Sequence, residues 1–186
     1  MKKIKKRCSA DNRGYSMVEM IIVLAIIIII STVGFLTMNI VNGARVSSAM
    51  NQLNAQFSFL ANLTKAQSAE TAMKLYFDDA KDCYVIGYGI YDNAAGTFTD
   101  STSQSPVDLA SGILIYGTVD GGTRAVVDSD GLIIQFNKSD SSVLLGYGTY
   151  EIIKNPSGKS PTESDGSEPA AATILLNKST GSHYAK

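Results

Sequence analysis

The chain has 186 residues, a formal net charge of −1 and charged side chains at 18% of positions. That is enough for one globular domain plus an anchor, and the balance excludes a broadly basic protein built to hold nucleic-acid phosphates. The charge is unevenly placed: residues 1–14 carry Lys2, Lys3, Lys5, Lys6, Arg7 and Arg13 against Asp11, net +5, so the remaining side chains sum to −6.

Residues 20–44 contain no charged side chain. At ~1.5 Å per helical residue this run is long enough for a bilayer core of ~30 Å. An ordinary secretory signal has a shorter apolar core closed by a small-residue cleavage site, and neither feature is present. The basic leader keeps the N-terminus in the cytoplasm and sends the C-terminal part outside. At the junction stands Arg13-Gly14-Tyr15-Ser16-Met17-Val18-Glu19. A carboxylate at the mouth of a membrane-length apolar helix is costly, roughly 2.5–3.5 kcal/mol at the bilayer centre, so Glu19 needs a partner.

This stretch resembles the processing site of type IV pilins and of the pseudopilins of type II secretion and DNA-uptake machines. The resemblance implies that a prepilin peptidase cuts after Gly14 and methylates the new N-terminus on Tyr15, where the family most often has Phe. It also implies that Glu19 is retained for assembly, neutralising the Tyr15 amine of a neighbouring subunit in low dielectric, where an unpaired charge is penalised. The partners implied are the peptidase, other pilin or pseudopilin subunits, an assembly platform protein with its motor ATPase, and membrane lipid, with no direct nucleic acid and no cofactor. The destination implied is a filament on the cell surface or across the periplasm or wall. The competing reading is a single-pass membrane-anchored extracellular binding module that keeps its leader and never polymerises.

Beyond the apolar run, Val46, Met50, Leu53, Phe57 and Leu60 step by 4, 3, 4 and 3, which is one face of a helix. Leu63, Ala66, Met73 and Phe77 extend the stripe, so the sequence predicts one helix from about Ser16 to about Phe77, with soft points at Gly34 and Gly43. The organisation expected is a cleaved leader at 1–14, a fibre-core half helix at 15–44, an amphipathic half at 45–78 and a β-rich domain at 79–186. Strands are expected at 83–90, 112–119, 124–127, 132–137, 143–153 and 173–177. Asp128-Ser129-Asp130-Gly131 reads as a hairpin, with a second turn at 137–142. The segment 155–169 holds three of the four prolines and reads as a mobile loop. The fold class expected is α+β and pilin-like: a long helix packed by its second half on an antiparallel meander. A late strand after a long loop also resembles the minor pseudopilins of the H type.

No catalytic constellation is evident. His183 is the single histidine and reads as a surface residue. Walker, H-E-x-x-H and C-x-x-C patterns are lacking. The turn at Asp128 has no Glu where an EF-hand loop needs one, so it reads as a plain turn and no metal site is assigned. Of the two cysteines, Cys8 lies in the leader and Cys83 reads as a small buried apolar residue. Asn62, Asn137 and Asn177 match the glycosylation sequon, a pattern that arises by chance in a chain rich in Ser and Asn.

Overall fold

The computed structural model describes residues 16–66, 71–155 and 157–186, without the side chains of 33–39. The chain divides into two compact units, Met1–Asn39 and Ile40–Lys186. One helix, α1, runs Met17–Ala66 and passes through Gly34 and Gly43.

In the first unit the side chains of 17–32 are exposed. The Ser31 and Thr32 hydroxyls donate to the carbonyls of Ile27 and Ile28 at 2.7 and 3.0 Å, which spares them an unpaired donor on an apolar helix. Among the described residues no helix is long and apolar enough to cross a membrane. The stretch 17–32 is sixteen residues, about 24 Å, short of the ~30 Å needed. The expected span over 20–44 continues through 33–39.

In the second unit α1 buries Val46, Ala49, Leu53, Phe57 and Leu60, the expected stripe with Ala49 in full contact and Met50 at its edge. The helix then stops earlier than expected. Thr71–Asp78 is a strand, β1, not the last turns of α1. Met73 and Phe77 are four residues apart, a spacing that suits one helix face and one strand face equally. The alternation decides: Met73, Leu75 and Phe77 are buried, whereas Lys74 and Tyr76 are only partly covered.

The remaining strands are β2 (Cys83–Asp92), β3 (Thr97–Asp100), β4 (Val107–Asp108), β5 (Ile113–Val119), β6 (Ala125–Val126), β7 (Leu132–Phe136), β8 (Val143–Leu145), β9 (Gly148–Lys154), β10 (Ala172–Leu176) and β11 (His183–Ala185). They form two antiparallel sheets rather than one meander. The first, sheet A, has the order β3-β2-β1-β7-β8 with β4 on β2, and the second, sheet B, has β11-β10-β9-β5-β6. The α1 stripe, Leu75, Ile86 and Ile134 of sheet A, and Ile115, Tyr150 and Ile152 of sheet B close one core. The Ile115 N–H donates to the Tyr84 hydroxyl at 3.1 Å and ties the two sheets together inside it. The architecture is the α+β, pilin-like one expected.

Two turns do something the sequence alone did not show. Asp128–Gly131 is a turn but not a hairpin. It carries the chain from β6 in sheet B to β7 in sheet A, with the Asp128 carboxylate accepting from the Asp130 and Gly131 amides at 3.0 and 3.4 Å. The single strand expected at 143–153 is also split. Gly146 and Gly148 adopt φ of +77° and +139°, and the chain leaves sheet A after β8 and enters sheet B as β9.

The hairpins β7–β8 and β10–β11 share one Asn-Lys-Ser turn. Ser139 and Ser179 amides donate to the side chains of Asn137 and Asn177, both at 3.0 Å. The two turns lie together, since the Val143 N–H donates to the Lys178 carbonyl at 2.8 Å. Both sequon asparagines thus serve as turn residues, and in the third sequon Thr64 is buried on α1.

The loop after β9 lacks strands, as expected, but it is tethered. Asn155 holds Lys159 through its side-chain amide and carbonyl. Arg124 stacks 3.9 Å from the Tyr116 ring centroid, donates to Glu151 at 2.7 Å and binds the carbonyls of Gly166 and Glu168. The Tyr116 hydroxyl meets Ser164 and Glu168. Arg124→Ala should free this segment, because hydrogen bonds to a charged group contribute about 1.5–3 kcal/mol. Cleavage after Glu163 by a glutamyl endopeptidase should quicken at least about tenfold, which corresponds to ~1.4 kcal/mol of local opening. An unchanged cleavage rate would show that Arg124 is not what anchors the loop.

Candidate processing and assembly site

Gly14 and Tyr15, the residues expected to flank a peptidase cut and to carry the methyl group, lie outside the described residues, as does the basic leader. Glu19 is described. It sits in the first turn of α1, three residues after Ser16, the residue just before the helix. The Ser16 N–H donates to Glu19 Oε2 at 2.9 Å, and the Val18 N–H reaches back to Ser16 Oγ at 3.4 Å. This is a capping box: a hydroxyl serves an orphan amide of the first turn, and the acid three residues on serves the cap amide. The negative carboxylate also lies at the positive end of the helix dipole.

Reading Glu19 only as a charge in search of a neighbour overlooked this partner within the chain. The signal was present in Ser16-x-x-Glu19 directly before an apolar run. Beyond it, Met17, Val18 and Met20–Leu24 are 48–81% exposed. Water alone is a poor environment for so continuous an apolar face.

Residues 9–35 match the family model of the prokaryotic N-terminal methylation motif. The chain carries a type IV pilin-type signal. The match covers the junction with Gly14, Tyr15 and Glu19 and the first part of α1, and it points to a membrane-anchored, processed subunit of the pilin type. No curated protein and no solved structure matches the chain.

Elsewhere the side chains do structural work. His183 is not the surface residue expected. It is half-buried against α1, its ring 5.7 Å from that of Phe57 and its Nε2 2.8 Å from Ser58 Oγ. Cys83 is buried and unpaired, and burial, reinforced by Asp108, pushes its thiol pKa up, away from the reactive thiolate. Among the described residues no three metal-ligating side chains converge. The Asp128 carboxylate is taken up by its own turn.

Proposed function

We propose that this chain is a subunit of a type IV pilus-like filament or a type II secretion or competence pseudopilus. A prepilin peptidase removes residues 1–14 after Gly14 and methylates Tyr15. An assembly platform with its motor ATPase then draws the subunit from the cytoplasmic membrane, N-terminus inside and β domain outside, into a helical filament. Glu19 pairs with the Tyr15 amine of a neighbour, the exposed apolar face of α1 packs on sister helices, and the acidic β domain faces outward. The observation that carries this reading is the methylation-motif match over residues 9–35, with Glu19 at the N-terminus of a long apolar helix. The late strand β10 after a long loop favours a minor subunit of the H type within that class.

Intact mass and N-terminal fragmentation of the protein from its native membranes test the reading. The expected chain begins at Tyr15 with one added methyl group, and Gly14→Ala should retain the leader in nearly all molecules. A wild-type chain that still carries residues 1–14 would mean an ordinary anchor and would remove the filament proposal.

A further inference from the structure

The outward face of sheet A carries a groove that neither the core nor the processing signal uses. It has a volume of about 380 Å³ and is lined by Lys74, Tyr76, Tyr91, Phe98, Asp100 and Asp130. Alternation along β1 and β7 sends Leu75 and Ile134 into the core and leaves Lys74, Tyr76 and Ile133 on this face.

Beside the groove, β2 has no side chains at two outward positions, Gly87 and Gly89. A Cβ on Gly89 would lie 2.7 Å from the Phe98 ring, and one on Gly87 would lie 3.6 Å from Asp100 Oδ1 and 3.8 Å from the Tyr76 ring. The two rings therefore lean over bare backbone instead of standing clear of the sheet. Next to Ile133 on the same face, Gln135 is 1% exposed, takes a hydrogen bond from Asn93 at 3.1 Å and keeps its Nε2 without a partner. Gln135 adds a polar group to this face without lining the groove itself.

The lining selects by charge. An anion meets the carboxylates of Asp100 and Asp130. A cation meets Lys74, whose ammonium already sits 5.5 Å from the Tyr76 ring centroid. An apolar ligand would strip water from all three charged groups and return no hydrogen bond. A neutral, hydroxyl-rich ligand satisfies each of them: its O–H groups donate to the carboxylates, Lys74 donates to its oxygens, and its C–H faces lie on the aromatic rings. The volume is within the range of small-ligand sites. We infer that this groove binds a neutral oligosaccharide.

The groove lies wholly within the second unit, so its failure would leave the processing reading untouched, and the reverse holds as well. The full chain is placed in lipid nanodiscs, which avoids detergents with sugar headgroups, and is applied to an array of neutral and charged oligosaccharides. Retained neutral sugars are then titrated calorimetrically. At least one neutral oligosaccharide should be retained, and Tyr91→Ala and Asp100→Asn should each weaken its binding about tenfold or more without lowering the unfolding temperature. If Tyr91→Ala destabilises the fold, the isosteric Asp100→Asn decides alone. Retention of charged sugars only, of none, or equal binding by the deciding variant would overturn the inference.

Discussion

Phe57→Ala should destabilise the second unit by about 3–5 kcal/mol, the usual cost of emptying a buried aromatic site. Folded domains hold only about 5–15 kcal/mol in reserve, so this single change removes a large part of the stability. The unfolding temperature should fall by roughly 10 °C, at about 2–4 °C per kcal/mol for a domain of this size. The size of the effect follows from what Phe57 touches. It is fully buried on the inward stripe of α1, its ring centroid 5.2 Å from Tyr150 on β9 and 5.7 Å from His183 on β11. Both strands belong to sheet B, and few small movements could refill a void between a helix and a sheet. Phe59 is the control. It lies two residues further along α1, is 40% exposed and meets Tyr88 edge-on at 5.4 Å. Phe59→Ala should cost less than about 1 kcal/mol. Equal losses in denaturant titrations of the two variants would mean that the stripe read from periodicity is not the one that holds the sheets.

That stripe shows how far periodicity reaches. Val46, Leu53, Phe57 and Leu60 could be assigned from spacing alone because seven-residue steps along a helix return to the same face. The end of the helix was hidden because the step from Met73 to Phe77 is even as well as helical, so both geometries accept it. The strand runs 83–90, 112–119 and 132–137 were legible from β-branched and aromatic content. Their partition into two sheets was not. Asp128-Ser129-Asp130-Gly131 specifies a change of direction, but a turn that returns a strand to its neighbour and one that crosses to another sheet use the same residues. Gly146 and Gly148 lie inside the single strand expected at 143–153, and the switch of sheet between them depends on the Asp120 carboxylate, which holds the Gly146 amide at 2.9 Å from 26 residues away. His183 was misjudged for the same reason: its contact with Ser58 spans 125 residues of sequence. At the N-terminus the information is local, and there the residues alone carried the processing signal, short of the cap that Ser16 and Glu19 form together.

That cap changes how the role of Glu19 must be tested, because Glu19→Ala removes two things at once. It deletes the charge offered to a neighbour and also the acceptor that serves the Ser16 amide. Loss of a cap costs about 0.5–2 kcal/mol, enough by itself to fray the start of a helix. Glu19→Gln separates the two, since a glutamine at this position can still close a capping box but brings no charge. If assembly depends on Glu19 neutralising the Tyr15 amine of another subunit, both variants should be processed after Gly14, and both should fail to enter filaments. Removing one member of a buried ion pair costs about 3–5 kcal/mol, so incorporation should fall by roughly 100-fold or more. Quantifying each variant in sheared filaments against the membrane pool gives the readout. Were Glu19→Gln to assemble like the wild type while Glu19→Ala did not, the carboxylate would be serving its own helix, and the intersubunit pair would have to be abandoned. The geometry makes both roles compatible in one molecule: Oε2 is held by the Ser16 amide, and Oε1 has the second acceptor site that an ammonium from a neighbouring chain would need.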